Sequence, residues 1–582
     1  MVIRTAIILL GILLSLASPL SGEEKALVVL FTSDLHSRME PSRDGKGGIG
    51  NLAGFIEKER KLAAENGDAL LLIDGGDMAM GTVYHTAFCE DAIEYRALAR
   101  LGYDAITFGN HDFDYGVGAL RKMYETAHSK DPALVFPQLL SANLVPVDSS
   151  GSTFWKGMVR SWSIFERNGI KVGVFGVMGE NAYNVIGKDS GVLEFTPMAE
   201  AAAKAVASLK REGADYIIAI SHGGTLNGDD LSLVKKVPGI DFVLRAHEHI
   251  LLRKPQVMGK TYIGAVGAFG EFVGKIVFRG GKVETYAIYG MVGEEDGSME
   301  ICRWRDSLYA CISSGFETSL GMGTDDTLAI LGEGLPKEVA PGGTMDLGQH
   351  IAQSYADEGV RAFPPFSEKI IGVVPYGLVR CGLVEGAVTA KDAFEVLSLG
   401  ENEDGFTGYP LVYAWLNGRE VKDLCELSHS VAPYLEDTRL FLSGVEYTYN
   451  SARPPFFKVT DVLLHGKPVE KDSLYMIVTG EYTANLIGLM KEESFGLLSA
   501  VPKDSAGNVM ENGTFPKITD GAGKAIPEWR AFAGYLKRGG VYDGRPLGGA
   551  VEEKSVPAMY ILFAVGACLI MGRWVKKKVV KG

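Results

Sequence analysis

Residues 26–40 spell ALVVLFTSDLHSRME, in which an unbroken apolar run ends at Ser33-Asp34-Leu35-His36. Such a run predicts a strand buried on both faces, as in a parallel sheet covered by helices. Similar runs follow at ALLLI, DAITF, KVGVFGV, DYIIAI and DFVLRA. Helical patterns alternate with them at residues 50–66, 91–101 and 198–212. This alternation predicts a layered α/β domain over residues 26–290.

Polar side chains capable of binding a metal fall at the carboxyl ends of these strands. They are Asp34, His36, Asp77, Asn110, His111, Asp114, His222, His247 and His249. Ligands bind at this edge of an open α/β sheet, and Asp, Asn and His together suit Zn²⁺, Mn²⁺, Co²⁺ or Fe²⁺. Seven of these nine, all but His111 and Asp114, are candidate metal ligands, and seven are too many for one tetrahedral ion. We therefore expect two divalent ions sharing a carboxylate, which would clamp a phosphoryl group and deprotonate a bridging water.

The order of these motifs resembles a known family. The motifs resemble those of the calcineurin-like metallophosphoesterases and come in this order: D-x-H, G-D, G-N-H followed by an acidic residue, H, and H-x-H. SDLHSRME, GGDMAMGT and GNHDFDYG are similar to the 5'-nucleotidase and UDP-sugar hydrolase family. The resemblance implies a four-layer metallophosphoesterase sandwich domain, followed by a second, smaller α/β substrate-binding domain that we place at residues 341–545.

The resemblance also implies a role for each residue of the first domain. Two sets of metal ligands would be joined by Asp77: one holds Asp34, His36 and His249, and the other holds Asn110, His222 and His247. His111, oriented by Asp114, would stabilise or protonate the reacting phosphate. Arg245 and Ala246 precede His247, where the family usually has a glycine.

Residues 291–340 are predicted to be a linker, in which we expect one short helix around 304–313. In the second domain the resemblance implies that Arg380 holds charge and that Phe441 and Tyr482 sandwich a nucleobase. Both rings equally suit packing in the core or at its rim. The family's Gly-Gly-Asp-Gly is replaced by LIGL at residues 486–489. Phosphate chemistry is therefore better supported than base recognition.

The two ends of the chain predict a membrane protein. Residues 1–22 have the order of a signal peptide, a basic residue before a short apolar run and then small residues. Residues 555–574 predict a transmembrane anchor followed by a short basic tail, which belongs on the cytoplasmic side. A buried C-terminal helix is the alternative. With an anchor, both catalytic and substrate domains would face the extracytoplasmic side of the cell membrane or envelope.

Composition narrows the function. The chain has 582 residues, with 58 Lys and Arg against 72 Asp and Glu and a net charge of −14, so a basic face for nucleic acid is not expected. The scattered cysteines indicate neither a zinc ribbon nor a dense disulfide framework. The sequence does not decide whether Cys302 and Cys311 form a disulfide.

We expect an extracytoplasmic 5'-nucleotidase that releases phosphate from nucleotides by attack of a metal-bridging hydroxide. The alternatives are the same chemistry on another phosphate ester, such as a nucleotide sugar or a cyclic nucleotide, and a non-catalytic binding protein on this scaffold.

Overall fold

The computed structural model describes residues 25–146, 157–184, 186, 193–224, 228–293, 298–340, 343, 345–400, 407–493, 499–511, 513–539 and 548–553. The predicted signal peptide, 1–22, and the predicted anchor, 555–574, lie outside these residues. Within the part that is described, no helix has both the length and the apolar character needed to cross a membrane. The chain divides into two compact units: one contains residues up to Met80 and Ala87–Tyr309, and the other contains Gly81–Thr86 and the residues from Ala310 onward.

The first unit is built on two sheets. Its strands are β1 (Leu27–Thr32), β2 (Ala69–Asp74), β3 (Ala105–Ile106), β4 (Gln138–Leu140), β5 (Leu144–Pro146), β6 (Val159–Arg160), β7 (Trp162–Arg167), β8 (Ile170–Met178), β9 (Leu193–Phe195), β10 (Tyr216–His222), β11 (Phe242–Arg245), β12 (Gln256–Met258), β13 (Thr261–Ala265), β14 (Phe272–Arg279) and β15 (Lys282–Gly290). One sheet has the order β15-β14-β1-β2-β3-β4-β6 and the other β12-β13-β11-β10-β8-β7.

Parallel strands occupy the centre of both sheets. β1 pairs in parallel with β2, in register from Leu27 opposite Ala69, and β10 pairs in parallel with both β8 and β11. The inner faces of the sheets pack on each other, with the rings of Phe31 and Phe242 5.1 Å apart. Parallel pairing aligns the carboxyl ends of neighbouring strands, so the polar residues that follow them share one edge.

Helices cover the outer faces, because each has an apolar stripe that must be buried. In the first unit they are α1 (Ile49–Asn66), α2 (Phe88–Asp91), α3 (Ile93–Leu101), α4 (Gly116–Lys130), α5 (Glu180–Tyr183), α6 (Met198–Arg211) and α7 (Asp229–Lys236). α6 packs its buried alanines and Leu209 on the β8–β10 face, and α1 lies against β2. The result is the predicted four-layer α/β arrangement.

A long helix, α8 (Met299–Leu320), fills much of the interval predicted as a linker, and β16 (Thr327–Leu331) follows it. Cys302 and Cys311 lie nine residues apart on α8, which is a rise of about 13 Å. A disulfide needs Cα atoms within about 7 Å. Cys302 and Cys311 therefore do not form a disulfide with each other, which answers the question that the sequence left open.

The second unit is also α/β, which confirms the predicted two-domain organisation. Its helices are α9 (Asp346–Ala362), α10 (Ala390–Val396), α11 (Gly418–Ser430), α12 (Glu481–Glu493) and α13 (Glu528–Lys537). Its strands, after β16, are β17 (Ile370–Pro375), β18 (Gly386–Thr389), β19 (Leu411–Asn417), β20 (Leu440–Leu442), β21 (Val445–Tyr449), β22 (Val459–Leu464), β23 (Lys467–Pro468), β24 (Leu474–Gly480) and β25 (Gly549–Glu552). Two four-stranded sheets result, β19-β24-β17-β20 and β23-β22-β21-β25. Because β25 pairs with β21, this unit continues past residue 545.

Candidate active site

The strand ends of the first unit bring the predicted metal ligands into two groups. One contains Asp34, His36 and His249, and the other contains Asp77, His222 and His247. The ligand atoms within each group lie within 4.8 Å of one another. Residues more than 200 positions apart in the chain thus meet at one sheet edge, as the alignment of the strands requires.

Asp77 lies between the two groups. Its Oδ2 is 3.2 Å from Nε2 of His222 and 3.9 Å from Nε2 of His36. Its other oxygen, Oδ1, accepts a hydrogen bond of 2.8 Å from the backbone N–H of His111. A carboxylate that reaches a ligand of each group has the placement that a bridging ligand needs.

His222 is held with a defined ring nitrogen toward the site. Its Nδ1–H donates to the carbonyl of Gly75 at 2.9 Å, so in the neutral ring Nε2 carries the lone pair. That Nε2 is 3.3 Å from Oδ1 of Asn110, which places the seventh predicted ligand beside this group. Gly75 must be glycine here, since a Cβ would lie 2.5 Å from Cβ of Ser33 and 2.8 Å from Cβ of Ala246.

Two further contacts fit a metal centre. The Nε2 atoms of His36 and His249 approach to 3.0 Å, so a ring nitrogen of each faces the same small volume. Among the residues that the structure describes, Nδ1 of His247 is buried without a hydrogen-bond partner. A buried polar atom without a protein partner is costly unless something else binds it. A divalent ion is a ligand that both observations accommodate.

The backbone of the ligands is unusual. Asp34, His36, Asp77, His247 and His249 have φ of 53°, 49°, 54°, 81° and 54°. These are five of the twelve non-glycine residues with positive φ in the described chain. Asp and His tolerate this left-handed region better than most residues, but it still carries strain, and such strain concentrates at functional sites.

Burial sets the electrostatics of the site. Burial raises the pKa of Asp34 to about 8, with attraction to His222 opposing it and repulsion from Asp77 adding to it. For His222, burial acts to lower the pKa, but the charge of Asp77 and the hydrogen bond to it raise the pKa to about 10. Buried carboxylates at this density need charge compensation, which divalent cations provide.

His111 and Asp114 form the predicted pair. Nδ1 of His111 lies 2.8 Å from Oδ2 of Asp114, and their side chains are 17% and 21% exposed, whereas those of Asp34 and Asp77 are almost fully buried. Because a carboxylate accepts, Nδ1 donates, and the acid–base chemistry of the ring runs through Nε2. A partly exposed, oriented imidazole next to Asp77 is suited to act on a substrate.

Sequence reasoning missed two residues that build this site. Asp112, 2% exposed, accepts backbone N–H groups of Gly109, Asp77, Met78 and Ala79 at 2.8–3.3 Å, and so fixes the loop that carries Asp77. Phe269, with φ of 63°, places its ring 5.5 Å from that of His36 and 5.2 Å from that of His249. Asp112 stands in the GNHD motif, whereas nothing in the sequence marked Phe269.

Comparison with known proteins supports the same reading of this geometry. Residues 27–251 match the family model of calcineurin-like phosphoesterases, and residues 333–490 match that of the 5'-nucleotidase C-terminal domain. The chain belongs to the 5'-nucleotidase family of calcineurin-like phosphoesterases. As predicted, it is a metal-dependent phosphoric ester hydrolase.

Individual relatives match this 5'-nucleotidase family member over different shares of its length. The chain is 24% identical over 512 residues to a 5'-nucleotidase of Vibrio cholerae, which covers 79% of this chain and 84% of that protein. It is 33% identical over 235 residues to a snake venom 5'-nucleotidase of Gloydius brevicauda, covering 39% of this chain and 37% of that one. The crystal structure of a 5'-nucleotidase precursor from Thermus thermophilus shares the fold, with a TM-score of 0.67 at 21% identity over 91% of this chain and 100% of that chain.

The three residues predicted to bind the substrate lie in the second unit and differ in their exposure to solvent: Arg380, Phe441 and Tyr482. Tyr482 is 39% exposed, and its ring stacks on that of Tyr409 at 5.3 Å. Phe441 is 1% exposed in β20, where its ring fills the space over Gly348, whose Cβ would lie 2.5 Å from it. A ring buried in this way is a core side chain, so the structure corrects the prediction that Phe441 stacks on a base. Arg380, half-buried after β17, donates its backbone N–H to the carbonyl of Val396 at 2.9 Å.

Proposed function

We propose that this family member is an extracytoplasmic 5'-nucleotidase that releases phosphate from nucleotides with the help of two divalent metal ions. The observation that carries the proposal is the pair of three-residue groups joined by Asp77. Asp34, His36 and His249 would hold one ion, and Asn110, His222 and His247 the other. The donor set of imidazoles, carboxylates and one amide suits Zn²⁺, Mn²⁺, Co²⁺ or Fe²⁺ better than Ca²⁺.

When bound, two such ions would neutralise charge on the phosphoryl group and activate water as the nucleophile. The protein's own residues supply orientation and proton transfer. Asp114 keeps the imidazole of His111 in one orientation through the 2.8 Å contact with Nδ1. Nε2 of His111 would then donate a hydrogen bond or a proton to the reacting phosphate. The backbone N–H of His111 also holds Asp77, so the acid and the bridging carboxylate keep a fixed spacing.

The nucleotide as substrate is supported by the names of the relatives and by Tyr482, whose partly exposed ring stacks on Tyr409. A flat base could extend this stack. The extracytoplasmic location is supported by the signal-peptide pattern of residues 1–22 and by the apolar segment 555–574 with its basic tail.

A second candidate is the same chemistry on another phosphate ester. Burial of Phe441 removes one of the two rings expected to sandwich a base. Leu486, at the start of the segment that replaces Gly-Gly-Asp-Gly, is 45% exposed and offers a sugar or base no hydrogen bond from its side chain. A nucleotide sugar or a cyclic nucleotide would therefore be the substrate if base recognition has been lost.

A substrate panel tests the proposal. The purified full-length chain is incubated with AMP, UDP-glucose or a cyclic nucleotide in the presence of Mn²⁺, Zn²⁺, Co²⁺ or Mg²⁺. The products measured are inorganic phosphate from AMP, UMP and glucose 1-phosphate from UDP-glucose, and the nucleoside monophosphate from the cyclic nucleotide. We expect nucleoside monophosphates to have the highest kcat/KM, and a preference for either other ester would replace the first candidate by the second.

Site variants test the chemistry in the same assay. We expect Asp77→Ala to abolish metal-dependent turnover and His111→Ala to lower kcat by about 10²–10⁴-fold. His128→Ala is the matched control, a histidine of the same unit that packs on Tyr124 and Phe136. Chelator-resistant activity in both site variants, or fewer than two ions per chain under metal-replete conditions, would contradict the proposal; the second result would favour a binding protein.

A further inference from the structure

A buried arginine lies directly behind the histidines of the second sheet. Arg245 ends β11 and is 6% exposed. Its Nε donates to Oδ2 of Asp230 at 2.9 Å, and its Nη2 donates to Oε2 of Glu248 at 2.9 Å. Asp230, in the first turn of α7, is fully buried. The planar guanidinium therefore joins two carboxylates in fixed directions, which a lysine ammonium would not do.

This network reaches both strand ends of the second sheet that carry histidine ligands, those of β10 and β11. Oδ1 of Asp230 accepts the hydroxyl of Ser221 at 2.5 Å, and Ser221 immediately precedes His222. Ser221 is also the residue paired with Arg245 across the β10–β11 ladder. On the other side, Glu248 stands between His247 and His249 in the sequence. One arginine thus connects the ends of β10 and β11.

The position of Glu248 explains what this connection can do. Neighbouring side chains in a non-helical segment point in different directions, so holding Glu248 on Arg245 turns the two flanking imidazoles away from it. The flanking residues are His247 and His249, and both have the left-handed backbone that non-glycine residues seldom adopt. A strained conformation persists only where its surroundings hold it in place. The bond from Arg245 to Glu248 is such a restraint.

We propose that Arg245 is a positioning residue for both metal sites, acting through Glu248 on His247 and His249 and through Asp230 and Ser221 on His222. This inference rests on the proposed two-metal function. His249 belongs to one ligand group and His247 to the other, so loss of Arg245 weakens the binding of both ions. The guanidinium of Arg245, a cation that bonds Asp230 and Glu248, is not itself a metal ligand.

The test is a Co²⁺ titration of the metal-free full-length chain, read from the visible absorption of the bound ion and from the number of ions per chain. The variants are Arg245→Met and Glu248→Gln, and the matched control is Arg96→Met. Arg96 is also buried, 7% exposed, with its Nε 2.6 Å from Oδ2 of Asp131, but it contacts none of the ligands. Thermal unfolding is measured on all of them.

We expect Arg245→Met to bind both Co²⁺ ions about 10–100-fold more weakly, with an altered absorption spectrum, and Glu248→Gln to change in the same direction. Arg96→Met should lose comparable thermal stability and keep the affinity and the spectrum of the unmodified chain. If Arg245→Met does not fold, Glu248→Gln decides.

Unchanged Co²⁺ affinity and spectrum in the folded variants overturn the inference, and so does an equal loss of affinity in Arg96→Met. An unmodified chain that binds fewer than two Co²⁺ ions overturns this inference and the proposed function together. If it binds two ions but releases no phosphate from nucleotides, only the substrate assignment fails, because the titration does not depend on turnover.

Discussion

Glu528, in the second unit, carries a buried carboxyl whose ionisation should control stability. It begins α13 and is 2% exposed. Burial raises its pKa to about 8 from an ordinary value of 4.5, although the hydroxyl of Tyr355, donating to Oε1 at 2.8 Å, acts to lower it. Between these two pKa values the folded chain holds a proton that the unfolded chain releases. The free energy of unfolding therefore falls as pH rises through this window.

The magnitude follows from the width of the window. One pKa unit corresponds to about 1.4 kcal/mol, so the interval from 4.5 to about 8 amounts to about 5 kcal/mol. Glu528→Gln removes the titration but keeps an oxygen that accepts from Tyr355. Relative to the unmodified chain, the variant should gain about 1.4 kcal/mol in its free energy of unfolding for each pH unit between pH 5 and 8.

Equilibrium unfolding in urea at several pH values measures this difference, with the fluorescence of the buried neighbour Trp529 as the probe. The control is Glu511→Gln, because Glu511 is exposed. Its free energy of unfolding should stay parallel to that of the unmodified chain. A difference between Glu528→Gln and the unmodified chain that does not change from pH 5 to pH 8 would refute the reasoning.

Four further variants separate the roles of individual side chains. Tyr482→Ala should raise KM for a nucleotide about 5–150-fold, because about 1–3 kcal/mol of stacking is lost. KM for a phosphate ester without a base should not change. Phe441→Ala should instead lower the free energy of unfolding by about 3–5 kcal/mol, measured by urea unfolding. Asp114→Asn should lower kcat for AMP by about 10–100-fold and leave the metal content, measured by elemental analysis, at that of the unmodified chain. In Asp112→Asn a side-chain NH₂ replaces one acceptor oxygen, so two of the four loop N–H groups lose their hydrogen-bond acceptor. Calorimetric titration should then show about 10–100-fold weaker metal binding.

The strands and the shared edge were predictable because they depend on local sequence and on a general property of parallel sheets. A wholly apolar run such as residues 27–31 is typical of a strand buried on both faces in such a sheet, and Asp34, which follows this strand, lies at its carboxyl edge. The helices Ile49–Asn66 and Met198–Arg211 follow from apolar periodicity, and their ends fall within one residue of the prediction. The assignment of ligands to two ions is what the family resemblance implies. The structure places Asp34, His36 and His249 in one group and Asp77, His222 and His247 in the other.

The remaining features depend on contacts between distant parts of the chain. Asp112 follows Asp77 by 35 positions, and its contact with the Asp77 loop forms only when the chain folds back on itself. The burial of Phe441 depends on Gly348, nearly a hundred residues earlier, which leaves space for the ring. The helical pattern in residues 291–340 is weak because α8 has apolar residues on more than one side. The sequence therefore predicts only a short helix there, whereas α8 has 22 residues.

The backbone around the ligands indicates that the chain itself, rather than the ions, sets the shape of the metal site. Left-handed residues such as Asp34 and His36 cost about 1–3 kcal/mol each. Backbone bonds between neighbouring strand ends offset this, from Asp34 N to Gly76 O and from His36 N to Asp77 O, each at 3.0 Å. These bonds do not involve the atoms that would bind metal, so metal binding does not compete with them. Metal binding therefore need not supply the free energy that orders these loops. Most of the free energy of metal binding then contributes to affinity for the ion.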